Sequence, residues 1–307
     1  MTKLRLTFDG LRGELRFDVA MARYTSWRVG GLADLVYAPV NAEDLALFLR
    51  QLPMDVPITV LGLGSNVLIR DGGIRGAVVL MRDNESAARA ESDGTIYAPA
   101  SLTCAKLARF AATQGKADMA FLAGIPGTVG GALAMNAGCY GSETWNYVAR
   151  VETVTRAGER NVRAADEYDV SYRQVRSKAS LLPEIFTGAW FYFPSGNAQS
   201  VEAAQAEAKA LLSKRLATQP LDLPNAGSVF RNPPGDYAAR LIESCGLKGL
   251  AIGGASVSEK HANFIVNPRG AARAADIEAL IVQVQQTVGA KTGVILQPEV
   301  KIFGEAV

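Results

Sequence analysis

Between Asp118 and Glu143 the chain carries no Asp, Glu, Lys or Arg. Yet glycine recurs through Gly124-Ile125-Pro126-Gly127-Thr128-Val129-Gly130-Gly131 and on to Gly138-Cys139-Tyr140-Gly141. Few folds admit such a stretch. A core strand excludes so many glycines, because each costs backbone entropy and packs nothing. A disordered linker is charged and poor in bulky apolar residues. Ordered backbone that lies close against something large, with its N–H groups free to donate, satisfies both constraints. A phosphate-bearing cofactor is such an object.

A second glycine-rich loop points the same way. Ile58-Thr59-Val60-Leu61 reads as a strand, and Gly62-Leu63-Gly64-Ser65-Asn66 as a turn. The apolar run Val67-Leu68-Ile69 follows, then Asp71-Gly72-Gly73 and a further strand-like run over 76–81. In a Rossmann site the glycine turn opens a helix whose N-terminus holds the pyrophosphate. Strand–turn–strand is a different context. Here the backbone N–H groups, the Ser65 hydroxyl and the Asn66 amide would bind phosphate as a nest, the alternative being a plain tight turn.

Composition removes several function classes. A chain of 307 residues has room for two or three domains with real cores. At 49% hydrophobic and 20% charged it reads as a soluble globular protein. A net charge of +2 without any block of basic residues argues against nucleic acid as a partner. Cys104, Cys139 and Cys245 are far apart and form no C-x-x-C pair, which argues against a disulfide framework or zinc site and for a reducing compartment. The N-terminus lacks an apolar signal core, and no apolar run reaches the roughly 18 residues of a membrane span. A cytoplasmic location with no membrane contact is expected. His261 is the single histidine, so no multi-histidine metal site exists and no metal is expected. A structural role, bonded to backbone, is favoured for it over a catalytic one.

Asn41 to Leu52 reads as a helix, with Asn41 as cap, Asp44 completing a capping box, and Leu45, Phe48, Leu49 and Leu52 as its stripe. Ser101 is the expected cap of a second helix that stops at Gly115. Strand signals follow over 148–155 and 188–193. A helix is predicted from Gln199 to Thr218, ended by Pro220, and two more over 236–245 and 274–288, the last stopped by Gly289. A strand is expected from Val294 to Phe303. This mixture has no regular βαβ rhythm, so an α+β fold is predicted. The helix around Lys209 would bridge to a separate C-terminal domain.

Candidate chemistry is sparse. Ser228 follows Gly227 in the stiff loop Leu223-Pro224-Asn225-Ala226-Gly227-Ser228-Val229-Phe230-Arg231-Asn232-Pro233-Pro234. It is either a polar turn residue or a reactive hydroxyl. Arg173, after Tyr172, suits bidentate capture of a carboxylate or phosphate, or a surface ion pair with Asp166, Glu167 or Asp169. Glu299, after Pro298, lies in an apolar run. It is either solvated on the same face as Lys301 or turned into a cleft where burial would make it an acid.

Taken together, these segments resemble one family, the UDP-N-acetylenolpyruvoylglucosamine reductases. The matching pieces span nearly the whole chain: Tyr24-Thr25-Ser26-Trp27-Arg28-Val29-Gly30-Gly31, Leu61 to Asp71, Gly124 to Gly141, Tyr172-Arg173, Gln219-Pro220 through Pro233, Gly246 through Asn267, and Pro298-Glu299-Val300. The chain resembles the shorter subtype, without a tyrosine-bearing insertion. After Tyr172-Arg173 it departs from the family's usual pattern, reading Gln174-Val175-Arg176-Ser177-Lys178.

The resemblance implies a two-part FAD-binding region of the PCMH/vanillyl-alcohol-oxidase-like type plus a C-terminal α+β substrate-binding domain. The boundaries so implied are 1–75, joined by the C-terminal strand 298–307, then 76–198, then 199–297. It implies non-covalent FAD at Gly62, Gly64, Ser65, Asn66, Gly124, Ile125, Pro126, Gly127, Gly130 and Gly131, with NADPH as reductant. Arg173, Ser228 and Glu299 fall on the family's catalytic positions. Tyr140 and Asn232 would face the substrate, UDP-N-acetylglucosamine-enolpyruvate, with Arg240, Lys248, Lys260 and Arg231 as weaker candidates for binding its diphosphate. A monomer reducing the enolpyruvyl group in peptidoglycan precursor synthesis is the expected protein. The alternatives are an FAD-dependent oxidase of the same fold and a non-catalytic nucleotide-sugar binder.

Overall fold

A computed structural model of the chain describes residues 6–82, 87–179, 184–193 and 200–307. They form two compact units. One joins Leu35–Leu63 and Gly76–Lys214 to the N-terminal residues through Arg16, and the other consists of Phe17–Asp34, Gly64–Arg75 and Arg215–Val307.

In the first unit, helix α1 (Ala42–Gln51) starts where Asn41 Oδ1 accepts the Asp44 N–H at 3.0 Å. The predicted capping box is altered. Asp44 reaches back past its own cap to the N–H of Val40 (3.0 Å), and it also accepts from Arg12 N–H (2.9 Å) and the Tyr37 hydroxyl (2.5 Å). Burial pushes the Asp44 carboxyl up, but these three donors outweigh it and hold it below the usual aspartate value. The group is only 2% exposed. Asp44→Ala is expected to cost about 3 kcal/mol, because three donors lose their acceptor in a buried site. That is a fall of roughly 5–10 °C in melting temperature for a chain of this size. The Asp44 contribution should be complete above the unfolded aspartate pKa near ~3.9 and fade as pH falls through the lower folded value. Thermal melts of both proteins over that range check it; equal melting temperatures at neutral pH would refute it.

Beside α1 the strands Ile58–Leu61 and Ile74–Leu80 pair in parallel, Ile58 opposite Ala77 and Leu61 opposite Leu80. A five-stranded antiparallel sheet runs in the order Arg160–Ala164, Val148–Val154, Ile185–Phe191, Ile96–Pro99, Arg89–Ala90. Its apolar face packs on α2 (Cys104–Thr113) and α3 (Val129–Met135), burying Leu107, Met119, Leu133 and Phe191. Thr103, not Ser101, caps α2. A bridge between Thr103 and Thr128 keeps the backbone extended through Leu102, whose carbonyl accepts the Val129 N–H at 2.8 Å.

Helix α4 (Val201–Thr218) spans the division between the units at Lys214 and Arg215, and the second unit also draws on Phe17–Asp34 and Gly64–Arg75. The expected first residue of α4, Gln199, lies outside the described residues.

The second unit packs α5 (Ala238–Ser244) and α6 (Ala274–Thr292) against a three-stranded sheet of Ala251–Ile252, Ala255–Val257 and Ile265–Val266. Trp27 is fully buried in that core, its indole N–H donating to Ile265 O at 2.7 Å. Asp71 caps α6 from a distant loop, accepting from the N–H groups of Ala274 and Ala275. The helix runs past Gly289 and stops at Gly293, where φ is 74°. A glycine ends a helix only where the backbone turns left-handed, and Gly289 does not. The strand expected from 294 shrinks to Lys301–Phe303, paired in parallel with Val67–Ile69. Pro298, with no N–H, limits the preceding stretch to an isolated bridge with Phe230.

Candidate active site

Within the first unit, Gly62 packs against the longer glycine-rich segment. A Cβ on Gly62 would collide with Thr128, the N-cap of α3. One on Gly124 would lie 2.7 Å from both Cys139 Sγ and Tyr140 Cε2, and one on Gly130 would lie 3.0 Å from the Ala100 Cβ. At these positions it is the protein's own packing that excludes a side chain. The N–H groups are also engaged: Ile125 donates to Leu122 O, Gly127 to Ile125 O, Val129 to Leu102 O, Gly130 to Ala100 O, and Gly131 to Thr128 Oγ1. The expectation of free donors in this segment is therefore corrected. What it presents is bare backbone surface at Pro126 and Gly131, where an added Cβ on Gly131 meets no atom nearer than 3.7 Å. Thr128, unremarked in the sequence, organises the turn.

The shorter loop supplies the donors. Gly64 has a φ of 64°, and a Cβ there would strike Tyr24 O. Its carbonyl accepts from Ser26 N (3.0 Å) and Ser26 Oγ (3.2 Å), and Asn66 O accepts from Lys301 N (3.0 Å). The carbonyls are thus turned into the protein, while the N–H groups of Gly64, Ser65 and Asn66 have no acceptor among the described residues. Consecutive unengaged N–H groups on a glycine turn fit a pyrophosphate, so these residues fit FAD.

The same loop is tied to one of the predicted catalytic residues, Glu299, within the second unit. Asn66 Nδ2 donates to Glu299 O at 3.4 Å. The Glu299 N–H donates to Val229 O (2.7 Å) and the Arg231 N–H to Gln297 O (2.9 Å). The antiparallel bridge between Phe230 and Pro298 sets Glu299 opposite Val229, the residue that follows Ser228. Ser228 and Glu299 are both half-buried. The Ser228 loop is held from behind. Asn225 Oδ1 accepts the Gly227 N–H (2.9 Å), Gly227 turns left-handed at φ 73°, and buried Asn263 brackets Phe230, accepting its N–H (2.9 Å) and donating to its carbonyl (2.8 Å). Sequence reasoning missed Asn263; its place two residues after His261 is the only signal. His261 is structural, with Nδ1 accepting the Asn263 N–H at 3.3 Å and burial lowering its pKa.

Arg173 belongs to the first unit. It occupies the two-residue turn between Tyr168–Ser171 and Gln174–Ser177 with φ at 58°. Its guanidinium donates to Asn136 O (3.2 Å) and Gly138 O (3.3 Å) and lies 5.2 Å from the Tyr172 ring centroid. Tyr140, also left-handed at φ 55°, donates its hydroxyl to Leu211 O (3.1 Å).

The other substrate candidates are engaged at the surface of the second unit. Asn232 Oδ1 accepts the Ala238 N–H (3.1 Å), Arg240 pairs with Asp236, and Lys248 pairs with Glu243 at 2.6 Å. Among the described residues no group of three or more His, Cys, Asp and Glu could hold a metal, and no helix is long and apolar enough to cross a membrane.

Comparison with known proteins agrees with this geometry. Residues 33–162 match a family described as an FAD binding domain. Residues 219–303 match the UDP-N-acetylenolpyruvoylglucosamine reductase, C-terminal domain. The reductase of Nitrosospira multiformis is 53% identical, over 97% of this chain and 91% of its own. That of Coxiella burnetii (strain CbuK_Q154) is 52% identical, over 97% and 98%. The crystal structure of UDP-N-acetylenolpyruvylglucosamine reductase from Thermus caldophilus superposes with a TM-score of 0.78 at 30% identity, covering 96% of this chain and all of that one. A 6-hydroxy-D-nicotine oxidase from Arthrobacter nicotinovorans shares the fold alone, with a TM-score of 0.53 at 12% identity over 94% and 87% of the two chains. The α+β chain thus carries an FAD-binding region and a reductase-type C-terminal region, and it is an FAD-dependent oxidoreductase that belongs to the UDP-N-acetylenolpyruvoylglucosamine reductase family.

Proposed function

We propose that the chain reduces the enolpyruvyl group of UDP-N-acetylglucosamine-enolpyruvate to the lactyl ether, giving UDP-N-acetylmuramate for peptidoglycan precursor synthesis, with Arg173, Ser228 and Glu299 as catalytic residues. The observation that carries this reading is the Glu299–Val229 pairing. It sets Glu299 opposite the residue that follows Ser228, and Asn66 ties Glu299 to a loop with unengaged N–H donors.

FAD is held by Gly62, Gly64, Ser65 and Asn66 and by the surface formed at Gly124, Ile125, Pro126, Gly127, Gly130 and Gly131. When bound and reduced by NADPH, FAD would supply the hydride that the terminal methylene carbon of the substrate receives. The alkene electron pair then moves to the carbon beside the carboxylate and spreads into the carboxylate oxygens. Arg173 binds that carboxylate and steadies the added charge. Glu299, as a neutral hydrogen-bond donor, meets the charge as it develops. Ser228 Oγ–H gives its proton to the carbanionic carbon. A serine hydroxyl is a weak acid, but a carbon base of this kind is strong enough to take its proton, and solvent restores it. Tyr140 and Asn232 position the substrate, and Arg240 and Lys248 exchange their surface carboxylate partners for its diphosphate.

The FAD region is formed by 1–75, joined by the C-terminal strand 298–307, and by 76–198, with 199–297 binding substrate. The parallel pairing of Lys301–Phe303 with Val67–Ile69 supports that joining. The protein acts as a cytoplasmic monomer on a small molecule, without nucleic acid or membrane. An oxidase of the same fold is the rival reading. Its usual covalent flavin attachment through histidine has only the backbone-bonded His261 to draw on. Denaturation in acid is expected to release all flavin as free FAD. Flavin left on the polypeptide, or none at all, would overturn the assignment.

A further inference from the structure

Left-handed backbone is rare outside glycine and costs of order 1–3 kcal/mol unless the surroundings over-determine it. Yet Asn136, Tyr140 and Arg173 all adopt it, with φ of 40°, 55° and 58°. Asn136 is common to all three. It ends α3 as a left-handed C-cap and is 2% exposed. Its Oδ1 accepts the Trp145 N–H at 3.1 Å, and its Nδ2 donates to Glu143 Oε2 at 2.7 Å and Ser171 O at 3.4 Å. Glu143 pairs with Gly138 in the short hairpin that presents Tyr140. Ser171 flanks the turn that presents Arg173. The Asn136 carbonyl then receives the Arg173 guanidinium at 3.2 Å. One buried amide therefore clamps two hairpins to the end of α3, and its own backbone aims the arginine.

We propose that Asn136 is a positioning residue for Arg173, fixing the guanidinium where it meets the carboxylate of the substrate; this rests on the reading of Arg173 as the carboxylate-binding residue. Asparagine suits the position for two reasons. It tolerates the left-handed region better than most side chains, and it offers a donor and an acceptor at once. The Trp145 N–H and the Glu143 carboxylate fix which way round the amide lies.

The test is a double-mutant cycle on FAD-loaded protein, with Asn136→Gly and Asn136→Asp each placed alone and beside Arg173→Ala. Glycine keeps the left-handed turn without the clamp. Aspartate keeps the shape and the tolerance but loses the donor and faces the Glu143 carboxylate, and the bound-flavin spectrum of each variant shows that it is folded. The readouts are affinity for the enolpyruvyl substrate, titrated on oxidised enzyme through the flavin spectrum, and the single-turnover rate of substrate reduction. In the wild-type background each Asn136 change is expected to lower both by about tenfold or more, and beside Arg173→Ala by less than about twofold, as contacting residues couple. Equal losses in both backgrounds would overturn the proposal while leaving the role of Arg173 standing. An Arg173→Ala variant with normal affinity and rate would overturn both together.

Discussion

Ser228→Ala is expected to lower the rate of enolpyruvyl reduction by roughly 10²–10⁴, the range typical of a lost general acid. Flavin reduction by NADPH delivers no proton to a substrate carbon, so that half-reaction should proceed. In stopped-flow, the flavin of the variant would bleach with NADPH and then stay bleached when substrate is added. The fold should tolerate the change. The loop is held by Asn225, Asn263 and the left-handed Gly227, none of which needs the serine hydroxyl. Near-normal re-oxidation by substrate would show that another group delivers the proton.

The second large effect separates Arg173 from Glu299. Arg173 is asked to bind a carboxylate that is charged both before and during reaction. Its change to Ala should weaken substrate affinity by roughly ten- to a hundredfold, the worth of a charged hydrogen bond, and slow the reaction as well. Glu299 is asked to meet charge that appears only as hydride transfers. Glu299→Gln keeps the shape and a donor, so affinity should hold while the rate falls by about 10²–10³. The backbone role of Glu299, donating its N–H to Val229 O and accepting from Asn66, survives either side chain. Titration of oxidised enzyme with substrate, beside single-turnover rates, reads both quantities. If Glu299→Gln chiefly abolished flavin reduction by NADPH, its assigned role would fail. If Arg173→Ala left affinity and rate intact, Arg176, three residues on, would be the arginine to examine next.

Local pattern made part of this molecule legible. Asn41 and the Leu45–Phe48–Leu49 stripe gave α1, and the charge-free glycine run gave ordered, closely approached backbone. The identity of what approaches was not legible. Gly62 meets Thr128 and Gly124 meets Cys139 and Tyr140, contacts between residues distant in sequence. The pairing of Glu299 with Val229, next to Ser228, was equally hidden, since it depends on the Phe230–Pro298 bridge, which spans much of the C-terminal region. Thr103 displaced Ser101 as a cap because a long-range bridge held the chain extended, which no cap preference could signal. The left-handed turns at Asn136, Tyr140 and Arg173 also escaped notice, because glycine is the usual mark of such backbone and none of the three is glycine. The resemblance to a family supplied what periodicity could not, namely which arginine, serine and glutamate to propose as acting together.

The most direct test is the visible spectrum of the purified protein through one catalytic cycle. The protein should show the absorbance of bound oxidised flavin. It should bleach when NADPH is added without oxygen, and regain full absorbance when UDP-N-acetylglucosamine-enolpyruvate follows, with one UDP-N-acetylmuramate formed per flavin. A protein without flavin absorbance, or a bleached flavin that oxygen re-oxidises rapidly while the enolpyruvyl substrate does not, would contradict the reductase assignment.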